Sequence, residues 1–200
     1  MDCTNCLHEN RVSSDFPCNE CSRVGRGYED MFVTKAVIAD SGNRTEFSTG
    51  AVRDIQEGKG RCDLMPLDVV ARLVGGVDDP DYVLISIHDF MLLDNPLYLF
   101  EAIEFFRNMQ GDCMETIILE VAKHFEEGAK KYGENNWQKG IPVKRYIDSA
   151  VRHYIKFLRG DVDEPHDRAF VWNIICGIWT CMHKPELNDY AKREDDDNVS

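Results

Sequence analysis

Two cysteine pairs open the chain, Cys3-x-x-Cys6 and, eleven residues on, Cys18-x-x-Cys21. A CxxC turn presents two thiolates on one side of a knuckle, and two such turns complete the tetrahedron that Zn2+ prefers. The spacing predicts a zinc site on these four residues; a pair of disulfides or a metal-free redox CxxC is the alternative. Four thiolates leave no open coordination position, so the ion would fold this segment rather than do chemistry. Farther on, Glu120, His124, Glu127 and Lys131 recur at i, i+4, i+7 and i+11 and share one stripe of a helix. Such a stripe is either a solvated face or a set of groups turned towards a divalent ion between helices. His166, Phe170, Asn173 and Gly177 make a second stripe. Asn173 stands among Phe170, Trp172, Ile174 and Ile175, so its amide, once buried, needs a partner on a neighbouring helix or on a ligand. Asp148 and Arg152 form an i, i+4 ion pair of the ordinary surface kind, with His153 beside an apolar face.

A third chemistry is anion binding. Arg53, Lys59 and Arg61 are interleaved with Gly50, Gly58 and Gly60 in an otherwise acidic chain. Backbone N–H groups and cations in that arrangement can wrap a phosphate, or they can be an ordinary basic loop. The P-loop spacing GxxxxGK[ST] is absent. Lys130, Lys131 and Lys139 flank Tyr132-Gly133-x-x-Asn136-Trp137, where Trp137 can stack on a base or plug the core.

The elements that must position these groups are mostly helices. Apolar residues at helical spacing predict helices from Pro66 to Val74, about Tyr82 to Leu93, after Pro96 to about Met109, Met114 to about Lys131, Val143 to about Leu158, and from near Asp163 to about Met182. Gly75, Gly133 and Gly160 supply stops, and Asp163 and Pro165 suit the start of the last helix. Residues 31–65 read as irregular, with short strands at Met31–Val33 and Ala36–Ala39 as weak signals. The fold class is therefore mainly α: a helical bundle at 66–185, a four-cysteine zinc knuckle at 1–30, an irregular basic Gly-rich segment at 31–65, and an acidic, disordered tail at 186–200.

At 200 residues and 43% hydrophobic, the chain can bury one core plus a small appendage. A net charge of -13 disfavours nonspecific binding to nucleic-acid backbones. No apolar run is long enough to span a bilayer, and no secretory signal opens the chain. Eight cysteines without such a signal point to a reducing, cytoplasmic compartment, with Cys176 and Cys181 as packing residues.

Several stretches together resemble a phage protein family, the dATP/dGTP diphosphohydrolase N-terminal domain. They are Thr49-Gly50-Ala51-x-Arg53-Asp54, Gly58-Lys59-Gly60-Arg61-x-Asp63-Leu64, Glu127-Gly128-Ala129-x-Lys131-Tyr132-Gly133-x-x-Asn136-Trp137, Arg152-His153, Asp163-Glu164-x-His166 and Trp172-Asn173. The resemblance covers roughly 45–182, with no clear motif between about 67 and 115. It implies a metal-dependent enzyme that cleaves a purine (deoxy)nucleoside triphosphate to monophosphate and pyrophosphate, in the cytoplasm of the host if phage-encoded. The family is distantly similar to MazG-type pyrophosphohydrolases, whose ExxE and ExxD motifs bind metal and which assemble as oligomers. Here Glu164-Pro165-His166-Asp167 matches the second motif, while His124-Phe125-Glu126-Glu127 stands in place of the first.

On that resemblance the catalytic candidates are Glu127, Glu164, Asp167 and His153. His124, Glu127, Glu164, His166 and Asp167 would hold Mg2+ or Mn2+. Arg53, Lys59, Arg61, Lys131 and Arg152 would meet the phosphates, and Asn136, Trp137 and Asn173 the base. A homo-oligomer is implied as well. The rival expectation is a noncatalytic binder that sequesters a nucleotide or nucleotide-derived signal, as a phage counter-defence protein would. A protein-interaction adaptor working through the cysteine knuckle is a third.

Overall fold

The structure is a computed structural model and describes residues 42–190. The expected zinc knuckle, the strands expected at 31–33 and 36–39, and the acidic run at 194–197 lie outside the described residues. A short antiparallel hairpin comes first, β1 (Arg44–Glu46) and β2 (Val52–Asp54), with Thr45 opposite Arg53. This corrects the expectation of an irregular segment. The turn at 48–50 closes because Gly50 takes a φ of 77°, which side-chain-bearing residues avoid. Three-residue strands cannot stand alone in water. The hairpin is held by Asn136, whose amide donates to Val52 O at 2.7 Å and accepts from Val52 N at 2.9 Å, as a third strand would.

Six helices follow: α1 (Leu67–Val74), α2 (Tyr82–Leu93), α3 (Leu97–Gln110), α4 (Met114–Tyr132), α5 (Val143–Arg159) and α6 (His166–His183). Their limits follow from local chemistry. Asp81 caps α2 by accepting the Leu84 N–H at 2.9 Å. Gly111 and Gly160 close α3 and α5 in the left-handed conformation. Gly75 ends α1 where a Cβ would lie 2.6 Å from Asp79 O, so no larger residue fits the turn into α2. Pro165 sits at the N-cap of α6 rather than in its first turn, and Asp163, expected as the cap, is used elsewhere.

α5 and α6 pack most extensively, as two antiparallel arms joined at Gly160. Phe106 lies at the centre of the core, its ring 4.7 Å from Phe170, 5.2 Å from Phe157 and 6.0 Å from Tyr154. Burying side chains of this size contributes about 1.5–3 kcal/mol each. A smaller cluster of Ala51, Ile141, Tyr146 and Cys176 lies beneath the hairpin and joins it to the bundle. The chain stays packed past 186, where the acidic tail was expected to begin: Tyr190 meets Phe90 edge-on at 5.5 Å. No described helix is long and apolar enough to cross a membrane.

Candidate functional site

The hairpin, α4, α5 and the start of α6 enclose a cleft of about 780 Å³. Its floor is aromatic: Phe125, Trp137 and Trp172 line it, with Phe125 5.4 Å from Trp137 and 5.8 Å from Trp172. Arg53 enters from β2. Its guanidinium lies over Tyr146 at 5.0 Å and Trp172 at 5.8 Å, and Nη2 donates to Asn173 Oδ1. Nη1 is buried without a hydrogen-bond partner, and no carboxylate pairs with Arg53 among the described residues. Burial lowers its pKa from the usual guanidinium value, with Tyr146 opposing. Asn173 donates its amide N–H to Ala169 O at 2.7 Å, so it is a satisfied buried amide that aims Arg53.

Other cations surround this one. Lys59, Arg145, Arg152 and Lys156 line the cleft. Arg145 donates to Gln56 Oε1 and to Asp54 O at 3.3 Å. Arg152 is a structural staple, bonded to Gly60 O at 2.8 Å and forked onto Asp148. Asp148 also accepts the Cys62 N–H at 2.7 Å and the Gln56 amide at 2.7 Å. It thus ties the 56–62 loop to α5. Burial alone would raise the Asp148 pKa; the bonds from Arg152, Gln56 and Cys62 outweigh it and hold the carboxylate below its ordinary value. The expected surface ion pair is therefore a buried hub, its Asp148 side chain only 2% exposed.

At the end of the cleft, α5 and α6 bring two imidazoles and a carboxylate together. His153 Nδ1 lies 3.0 Å from His166 Nδ1 and 3.5 Å from Glu164 Oε1, and His166 Nδ1 lies 3.6 Å from the same oxygen. Asp163 Oδ1 is 2.8 Å from His166 Nε2, while its other oxygen accepts from Lys156 at 2.9 Å. Burial raises the Glu164 pKa, against the pull of His166. Desolvation acts upward on Asp163 too, but Lys156 and His166 hold it at about 2.

The remaining expected residues are dispersed. Glu127 Oε1 accepts from Arg168 at 2.7 Å, away from the cleft. His124 is buried 5.2 Å from Trp172; desolvation, with Arg168 and Arg53 nearby, lowers its pKa to about 3. Asp167 is raised by burial, and Glu120 pushes the same way. Lys131 pairs with Asp54 at 3.0 Å, and Arg61 forks onto Asp63; neither lines the cleft. Asn136 lines it with both ends of its amide spent on Val52. His124, Glu127 and Lys131 of the α4 stripe therefore face α6 and the hairpin, while Glu120 pairs with Lys123 at the surface. Arg145, Lys156 and Gln56 were not singled out by sequence. Arg145 stands one helical turn before Asp148 and Lys156 one turn after Arg152 on α5, and that periodicity was the available signal.

Residues 108–190 match the family described as dATP/dGTP diphosphohydrolase, N-terminal. The resemblance is thereby shown for the stretch that carries α4 to α6 and the His153–Glu164–His166 cluster; the hairpin and the 58–64 loop precede it. No curated protein and no solved structure matches the chain.

Proposed function

We propose that the cleft binds a purine deoxynucleoside triphosphate, dATP or dGTP, and hydrolyses it to the monophosphate and pyrophosphate. The family description names a nucleotide hydrolase, and the cleft lies within the size of small-molecule sites, about 300–1,000 Å³. The observation that carries the reading is Arg53: a buried guanidinium whose Nη1 has no hydrogen-bond partner, and which no carboxylate pairs with among the described residues, is a site for an anion. Lys59, Arg145 and Lys156 line the same space and share the charge of a triphosphate, while Trp137 and Phe125 offer faces for a base.

Such hydrolysis ordinarily uses Mg2+, which polarises phosphoryl oxygens and prefers oxygen ligands. The five residues expected to hold it do not fit one ion. Glu127 is engaged by Arg168, His124 is buried against Trp172, and Asp167 joins no ligand cluster among the described residues. Only Glu164 and His166 come together, with His153. A structural Zn2+ on Cys3, Cys6, Cys18 and Cys21, a homo-oligomeric state and a cytoplasmic setting in an infected host complete the reading.

Purified protein is incubated with each dNTP and NTP and divalent ions, and the products are separated by chromatography. Monophosphate and pyrophosphate from dATP or dGTP are expected; intact nucleotides throughout would reject the reading. The dispersed carboxylates favour one second reading, a binder that sequesters a nucleotide without cleaving it. Nucleotide retained intact by the protein is its signature.

A further inference from the structure

The two histidines and the glutamate at the end of the cleft have a geometry that a core contact does not require. Three atoms with lone pairs, His153 Nδ1, His166 Nδ1 and Glu164 Oε1, form a triangle with sides of 3.0, 3.5 and 3.6 Å. The circumradius of that triangle is about 2.0 Å, the length of a bond from a first-row transition ion to imidazole or carboxylate. The tautomers agree with a ligand set. Asp163 Oδ1 faces His166 Nε2 at 2.8 Å, and a carboxylate accepts, so that nitrogen carries the proton and Nδ1 of a neutral ring presents its lone pair inward. A carboxylate behind a ligating imidazole is the usual outer shell of a metal centre. Asp163 is itself anchored by Lys156 at 2.9 Å.

We infer that His153, Glu164 and His166 are a three-ligand site for a divalent first-row transition ion, of the Zn2+ or Mn2+ kind, rather than for Mg2+. Two nitrogens and one oxygen suit those ions, whereas Mg2+ demands a shell of oxygens. The site is of the open type. His153, Asp163 and Glu164 line the cleft while His166 is buried behind them, so the vacant coordination positions face the space beside Lys59 and Lys156. Water or an anionic ligand oxygen would fill them. The two imidazole nitrogens already stand 3.0 Å apart, so the packing of α5 on α6 assembles the site. The inference goes beyond the hydrolase reading and does not depend on turnover.

The test is metal content of the full chain. Protein stripped with a chelator is dialysed against Mn2+, which thiolates take poorly, and bound ion is read by mass spectrometry and by electron paramagnetic resonance. One equivalent is expected in the wild type and in Cys3→Ser/Cys6→Ser. His153→Gln, Glu164→Gln and His166→Gln each weaken binding by at least tenfold, with circular dichroism confirming that the helices remain. His153→Gln, at a partly exposed position, carries the test if His166→Gln does not fold. A millimolar excess of Mg2+ leaves the Mn2+ bound. Equal Mn2+ in the wild type and all folded variants, or displacement by Mg2+, overturns the site. Turnover of dATP by a protein without this ion would leave the hydrolase reading intact and remove the site; bound Mn2+ without turnover does the reverse.

Discussion

The α4 stripe and the α5–α6 junction are both rich in titratable groups, and they are built in opposite ways. On α4, Glu120, His124, Glu127 and Lys131 share a face by periodicity, yet each has a separate environment: Lys123, Trp172, Arg168 and Asp54 respectively. At the junction the residues come from α5, the start of α6 and the connection between them, and their polar atoms converge to within 3.6 Å. A stripe on one helix fixes direction only. Convergence needs a second element whose register is set by a turn, and Gly160 provides it: His153 stands seven residues before that glycine and His166 six after.

The comparison can be broken most forcefully at the hub beside the junction. Asp148→Ala leaves the Arg152 charge, the Cys62 N–H and the Gln56 amide without their partner. Removing one side of a buried pair costs about 3–5 kcal/mol, so the urea midpoint should fall sharply and the 56–62 loop should become protease-sensitive. An unchanged midpoint would mean that α5 does not hold the loop.

Arg53→Met comes next. Methionine fills part of the space over Tyr146 and Trp172, while the charge, the cation–π contacts and the bond to Asn173 are lost. Nucleotide affinity by calorimetry should drop about 100-fold, or about 2.7 kcal/mol, with little change in thermal stability, because removing a buried charge offsets the loss of its bond to Asn173. An unaltered affinity would take the anion away from the cleft floor.

His124 sharpens the contrast from the α4 side. In the folded protein it titrates at about 3 because of burial, with Arg168 and Arg53 adding to it. The unfolded chain binds its proton below about 6.5, so between these values the unfolded state holds more protons and stability rises with pH. Going from pH 7 to pH 5 should remove about 2 kcal/mol through this group. The difference between wild type and His124→Phe, followed by chemical denaturation across that range, should show this slope. Parallel curves would mean that His124 is already solvated.

Much of the scaffold was legible because helices are written in local chemistry. Tyr82–Leu93 is visible from its apolar run between Asp81 and Asp94, and Met114–Tyr132 from the spacing of Ile117, Val121 and Phe125 before Gly133. The hairpin was not legible. Its strands are three residues each, and what stabilises them is Asn136, 84 residues away. The site was half legible. Glu164 and His166 are close in sequence, and the family resemblance put His153 among the catalytic candidates, but spacing alone set it beside an apolar face; only the turn at Gly160 shows it opposite His166. Asp148 and Arg152 show the same limit: spacing reveals the pair, and only the packed loop reveals that it is buried.

The smallest expected effect bears most directly on the comparison. From sequence, Glu127→Gln should abolish metal-dependent turnover, since Glu127 occupies the first metal motif by analogy. From geometry it should not. Glu127 Oε1 is bonded to Arg168, and a glutamine carbonyl still accepts that N–H, though in a weaker bond. What changes is the charge opposite Arg168, in a pair whose Glu127 side chain is 22% exposed and so partly screened by solvent. Stability should fall by about 1 kcal/mol or less, and dATP turnover and Mn2+ content should stay within about threefold of wild type. Glu164→Gln, the corresponding change at the junction, should lose the ion. If Glu127→Gln instead loses both turnover and metal, α4 must move towards α6 when the ion binds, and a stripe set by periodicity becomes half of the site after all.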